Sequence, residues 1–131
     1  MKKTGILNRE ISGVVASMGH RDALVIADAG LPVPPETRCI DLALTCGLPP
    51  FLETVRVILS ELQVEEAVVA EEMLARSPQV YDALVELLGD VPITHVPHEI
   101  LKERTRSARA VIRTGECTPY ANVILISGVI F

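Results

Sequence analysis

The chain has 131 residues, 49% of them apolar but only 3% aromatic and none tryptophan, so a single domain with an aliphatic core is expected. A net charge of −5 without any basic run argues against a nucleic-acid surface, which needs clustered Lys and Arg to neutralise phosphates. No apolar run reaches the ~20 residues of a membrane span, and Asn8-Arg9-Glu10 interrupts any signal-like region after the N-terminal lysines, so a cytoplasmic protein is expected.

Asn8 is a good N-cap for a helix running to Met18, because Ile11, Val14, Val15 and Met18 recur at helical spacing. Gly19 supplies the stop. Ala23 to Ala27 is a continuous apolar run and reads as a buried strand. The stretch from Asp28 to Glu36 holds Gly30, Pro32, Pro34 and Pro35, which predicts an irregular loop at the strand's C-terminal end. Arg38 to Leu44 reads as a second strand, broken by Gly47-Leu48-Pro49-Pro50.

Phe51 to Leu62 follows as a helix with Phe51, Leu52, Val55, Ile58, Leu59 and Leu62 on one face, then Ala67 to Ala70 as a short strand. Ser77-Pro78 predicts a cap followed by proline at the first helical position, and the helix stops at Gly89. Ile93 to Val96 is a strand, and Pro97 to about Thr105 a short helix. Ala108 to Arg113 and Ala121 to Ser127 are the last strands. The hop between them is too short for a crossover helix, so they are antiparallel or not adjacent. Strands alternating with helices give a three-layer α/β/α fold with a mixed, mostly parallel central sheet.

The cysteines, Cys39, Cys46 and Cys117, are odd in number, scattered and without C-x-x-C spacing. This predicts neither a disulfide framework nor structural zinc, and three reduced thiols. The chain ends on Val129-Ile130-Phe131 with no polar tail, which suits burial against another subunit.

Candidate site residues fall in two polar clusters beside apolar strands. In Glu116-Cys117-Thr118-Pro119-Tyr120-Ala121-Asn122, a carboxylate, a phenol and an amide surround one turn, which favours recognition of hydroxyls. Asp28 lies at the carboxyl edge of a strand, where open α/β sheets bind ligands. His20 lies at the other end of that strand, roughly 15–20 Å away, so one protomer is not expected to bring the two together. His98, after Pro97 at a helix start, is placed to meet a ligand. His95 and His98 form H-x-x-H with no third ligand at a recognisable spacing. Glu65, Glu66, Glu71 and Glu72 read as a solvated face without a role, and Glu116 equally as an ion-pair partner of Arg113.

These motifs together resemble the D-ribose pyranase (RbsD) family. The resemblance runs nearly end to end, through Gly5-Ile6-Leu7-Asn8, Met18-Gly19-His20, Ile26-Ala27-Asp28-Ala29-Gly30-Leu31-Pro32-Val33-Pro34, Val111-Ile112-Arg113-Thr114-Gly115-Glu116 and Thr118-Pro119-Tyr120-Ala121-Asn122. The related L-fucose mutarotases share the Gly-His and Thr-Gly-Glu elements but carry a different loop after the aspartate. The resemblance implies an RbsD-like fold and interconversion of the pyranose and furanose forms of β-D-ribose without cofactor or metal. It also implies His20 as proton donor, Asp28, His98, Tyr120 and Asn122 as sugar-binding residues, and pentameric rings paired as a homodecamer with sites at subunit interfaces. A non-catalytic sugar-binding module and a metal-dependent isomerase built on His20, His95 and His98 are the competing readings.

Overall fold

A computed structural model describes residues 1–131. Six strands form one sheet in the order β2-β5-β1-β6-β3-β4: β1 Ala23–Ala27, β2 Cys39–Asp41, β3 Val64–Ala70, β4 Ile93–Val96, β5 Ala110–Arg113 and β6 Val123–Ser127. The pairs β2/β5, β5/β1 and β3/β4 are parallel, while β6 runs antiparallel to both β1 and β3. Five strands therefore share one direction and β6 alone opposes them. The last two strands run in opposite directions with β1 between them.

The five helices are α1 Arg9–Ser17, α2 Phe51–Leu59, α3 Glu72–Arg76, α4 Pro78–Leu88 and α5 His98–Arg104, the last followed by a 3₁₀ turn, Thr105–Ser107. Successive strand residues point to opposite faces, so Leu24 and Ile26 enter one core and Val25 and Ala27 the other. The first core gathers 21 buried residues under α1, α2, α3 and α4; the second has only 9, under α5 and the Leu31 loop. The sandwich is thus three-layered but lopsided, and most hydrophobic stabilisation lies on the four-helix face. Truncating a wholly buried residue there, such as Leu24 or Phe51, costs about 2–5 kcal/mol.

Local chemistry explains most boundaries. Asn8 caps α1 by accepting the Ile11 N–H at 2.9 Å, and Ile11 and Val14 are its buried stripe. The second strand is shorter than Arg38–Leu44, because the Asp41 carboxylate takes the Ala43 N–H at 2.9 Å and turns the chain. The helix α2 ends at Leu59 rather than Leu62, where Ser60 N–H closes onto Val57 at 3.2 Å. The third strand begins at Val64, three residues before Ala67, because Val64 and Glu66 still pair with Ser127 and Ile126 of β6 across an irregularity that leaves Glu65 unpaired. The five residues of α3 are too few to show a period. Ser77 stands at the N-cap of α4 with Pro78 directly after it, but its hydroxyl makes no cap bond and donates instead to Pro119 O at 2.8 Å.

Cys46 and Cys117 correct the expectation of three reduced thiols: they are joined as a disulfide, with Cα atoms 5.8 Å apart across 71 residues of sequence. Cys39 is free. The C-terminal residues add no strand, and Ile130 and Phe131 are 89% and 100% exposed. No helix is long and apolar enough to cross a membrane.

Candidate active site

The parallel strands β1, β5 and β4 deliver their C-terminal loops to one edge of the sheet, and the antiparallel β6 begins there. Asp28 follows β1, Thr114 to Cys117 follow β5, His98 follows β4, and Tyr120 to Asn122 lead into β6. These segments surround a cavity of about 530 Å³ lined by Asp28, Gly30, Pro32, His98, Glu116 and Tyr120, among others. It is concave and of the size of small-molecule sites.

Asp28 is held from two sides. Its Oδ1 accepts the Gly30 N–H at 2.9 Å, and its Oδ2 accepts from Asn122 Nδ2 at 3.0 Å. Asn122 Oδ1 in turn accepts the Asp28 N–H at 2.9 Å. Asn122 is wholly buried and does not itself line the cavity, so within the protomer it serves the site through Asp28. Its second amide hydrogen remains uncommitted.

Tyr120 adopts φ 61°, the left-handed region that a non-glycine residue rarely occupies. Asn122 N–H bonds to Tyr120 O at 2.8 Å and closes this tight turn. The turn sets the Tyr120 ring edge-on to His98, with centroids 5.0 Å apart and planes at 88°. His98 Nδ1 is buried without a partner. An orphaned N–H would cost more than an orphaned lone pair, which places the proton of neutral His98 on Nε2, free for a ligand oxygen.

The loops that carry these groups are braced by carboxylates from afar. Pro50 cannot cap α2, and Glu116 Oε1 takes the Phe51 N–H at 3.0 Å while Oε2 accepts from Thr118 Oγ1 at 2.8 Å. Pro97 cannot cap α5, and Glu72 accepts the His98 N–H with both oxygens, at 3.0 and 3.2 Å. Both placements complement the helix N-terminus. Arg113 pairs with Asp41 at 3.0 Å, not with Glu116, and donates from Nε to Ala29 O at 3.0 Å. Gly115 lies so close to the backbone of Thr45 and Leu48 that any Cβ would overlap their carbonyls. That approach brings Cys46 against Cys117 at the cavity wall.

His20 lies at the opposite edge of the sheet, before β1, in a second cavity of about 430 Å³ with Met18, Gln63 and Ile130. Its Nε2 lies 3.0 Å from Glu65 Oε2, and Glu65 Oε1 accepts from Arg21 Nη1 at 2.8 Å. Arg21 also reaches Glu66 at 3.1 Å and has φ 69°. The Arg21 guanidinium first, and His20 second, hold the Glu65 carboxyl below the ordinary glutamate range against partial desolvation.

Comparison with known proteins places this architecture. Residues 1–130 match the RbsD / FucU transport protein family. The chain belongs to the RbsD/FucU family. It is similar to the D-ribose pyranase of Chloroflexus aggregans, 61% identical over 131 residues and all of both chains, and to that of Coprothermobacter proteolyticus, 56% identical over the same span. Its fold matches Bacillus subtilis RbsD complexed with D-ribose at TM-score 0.97, with 47% identity and full coverage of both chains. The Streptococcus pneumoniae fucose mutarotase in complex with L-fucose is 24% identical, with TM-score 0.82 and 95% of each chain covered, and shares the fold.

Among the residues singled out from sequence, the RbsD/FucU protomer brings together Asp28, His98, Tyr120 and, behind Asp28, Asn122. It keeps His20 apart. His95 faces outward on β4 and bonds Tyr81 Oη at 2.9 Å, so the three histidines form no common ligand set. Glu65, Glu66 and Glu72 are not an idle solvated face, since all three accept hydrogen bonds from or beside the site histidines. Nothing in local sequence marks these acids, because their partners lie 26 to 45 residues away.

Proposed function

We propose that this chain is a D-ribose pyranase, an isomerase that interconverts the β-pyranose and β-furanose forms of D-ribose. The observation that carries this reading is full-length identity of 61% to a D-ribose pyranase, joined to a polar cavity at the carboxyl edge that offers acceptors, a phenol and an imidazole.

The chemistry is proton transfer. A base removes the anomeric hydroxyl proton, the C1–O5 bond breaks, and the ring oxygen takes a proton to give the open-chain aldehyde. The O4 hydroxyl then adds to C1, losing its proton as the carbonyl oxygen gains one. Asp28 accepts sugar hydroxyl hydrogens, His98 donates from Nε2, Tyr120 grips a neighbouring hydroxyl, and Asn122 serves the sugar by orienting Asp28. His20 is the proton donor, since an imidazole can both give and take a proton. General acid–base assistance of ~10²–10⁴-fold suffices for a reaction that already proceeds in water.

His20 and the Asp28 cavity occupy opposite edges of one protomer, so the complete site requires His20 from a neighbouring subunit. The exposed Ile130 and Phe131 beside the His20 cavity support such an interface, in pentameric rings that pair as a homodecamer. The protein acts in the cytoplasm on free D-ribose, with no cofactor or metal.

Saturation-transfer NMR on D-ribose with catalytic protein tests the reading, with L-fucose as comparison. Accelerated pyranose–furanose exchange for ribose, abolished in His20→Ala, is the expected result. Acceleration with L-fucose alone, or ribose binding without acceleration, would overturn it. Light scattering reports the assembly, and a monomeric yet fully active protein would exclude the shared site.

A further inference from the structure

The acids at the start of β3 stand outside the sugar cavity, yet they organise the residue on which proton transfer depends. We propose that Glu65 is a positioning residue for His20: its carboxylate holds the imidazole by Nε2–H and thereby leaves Nδ1 as the nitrogen that exchanges protons with the sugar. This rests on the reading of His20 as the proton-transfer group.

Four observations carry it. The His20 ring nitrogen Nε2 lies 3.0 Å from Glu65 Oε2, and Nδ1 has no protein partner. An ionised carboxylate only accepts, so the shared hydrogen must sit on Nε2. Glu65 is itself fixed, because Arg21 Nη1 donates to its other oxygen at 2.8 Å and also contacts Glu66 at 3.1 Å. Glu66 is anchored in turn by Thr94 Oγ1 at 3.0 Å.

The backbone supports the same arrangement. Arg21 occupies φ 69°, and its N–H bonds to Ser127 O at 2.9 Å, which commits the His20-Arg21 segment to the end of β6. Gly128 leaves room for the Glu65 stem; a Cβ there would come within 3.1 Å of Glu65 Cβ. His20 is otherwise unrestrained, with its side chain 55% exposed. Without Glu65 the ring would rotate freely and sample both tautomers, and each turnover would have to order it again.

The logic is that of a base oriented by a third group. When Nδ1 takes the anomeric proton, the imidazolium forms against the Glu65 carboxylate. When Nδ1 returns that proton to the ring oxygen, the neutral Nε2–H tautomer is restored. No proton passes to Glu65.

The test combines side-chain ¹⁵N NMR of His20 with ribose exchange kinetics in Glu65→Ala and Glu65→Gln, the second keeping size and packing. The wild type is expected to show the Nε2–H tautomer alone, and Glu65→Ala a mixture. Exchange turnover is expected to fall about ten- to hundred-fold, within the range of acid–base assistance, with ribose half-saturation little changed. Glu65→Gln is expected to fall between the two. Adding either change to His20→Ala is expected to cause no further loss. An unaltered tautomer and full turnover in both variants, while His20→Ala is inactive, would overturn the role of Glu65. A fully active His20→Ala would instead overturn the reading of His20 and the catalytic consequence with it, while the tautomer result still decides whether Glu65 orients the ring.

Discussion

Asn122 and Asp28 bind each other reciprocally, 94 residues apart in sequence: the amide oxygen of Asn122 takes the Asp28 N–H at 2.9 Å, and its Nδ2 donates to the Asp28 carboxylate at 3.0 Å. The pair locks the loop after β1 to the turn before β6 and fixes the direction of the Asp28 carboxylate in the cavity. Replacing Asn122 by Ala strands a backbone N–H where Asn122 is wholly buried. The expected cost is ~1–3 kcal/mol of stability, read by urea denaturation, together with weaker ribose binding by NMR titration. Unchanged binding would show that Asn122 does not orient Asp28 toward the sugar.

Tyr120 presents its ring edge to His98, and its φ of 61° is set by the backbone turn rather than by the phenol. Tyr120→Phe keeps the ring and the turn and loses only the hydroxyl. Stability is expected to stay within the scatter of a surface change, while ribose binding weakens about tenfold, the equivalent of one hydrogen bond of ~1.4 kcal/mol. Equal affinity of the two proteins would show that the phenol does not meet the sugar.

Glu65 titrates below the ordinary glutamate range because Arg21, and then His20, favour its ionised form. A depressed carboxylate contributes stability that is fully present above the unfolded value of about 4.3 and is lost as pH falls through the lower folded value. The His20 region is therefore expected to keep its structure at pH 5 and to loosen only below the ordinary glutamate range. Carboxylate ¹³C NMR checks this, and Arg21→Gln is expected to raise the Glu65 midpoint. A midpoint insensitive to Arg21 would contradict the assignment.

The Cys46–Cys117 bridge closes 71 residues and ties the turn before Pro49 to the cavity wall. Reduction, or Cys46→Ser, is expected to lower stability by ~2–4 kcal/mol and leave ribose exchange near its original rate, since Asp28, His98 and Tyr120 are held by other contacts. Parallel denaturation and exchange measurements with and without dithiothreitol check this. Loss of exchange on reduction would make the bridge part of the working site. Cys39 is expected to alkylate slowly, because desolvation first and the Asp41 carboxylate second push its thiol up.

Several features were legible in the chain itself because their causes are local. Asn8 caps α1 by accepting an N–H only three residues on, and the apolar run Ala23–Ala27 has the composition of a strand buried on both faces. The polar residues after that run and before β6 stood out because loops at a sheet edge have no apolar face to satisfy. The family resemblance groups Asp28, His98, Tyr120 and Asn122, and the fold sets the first three around one cavity with Asn122 behind Asp28. The separation of His20 from Asp28 followed from strand length alone.

Other features depended on where distant segments return, which no periodicity reports. Glu116 caps α2 across 65 residues, Glu65 holds His20 across 45, and Cys46 meets Cys117 across 71. Each partner is an ordinary polar or small residue in its own neighbourhood. Sheet order decided these meetings: β1 inserts between β5 and β6, which aligns the loops after β1 and β5 with the turn before β6. The antiparallel β6 then carries the C-terminus back to the edge where His20 lies. Composition, caps and strand runs act over a few residues and so are written in the sequence. Long-range hydrogen bonds and the gathering of the loops after β1, β5 and β4 around one cavity exist only once packing has chosen a topology.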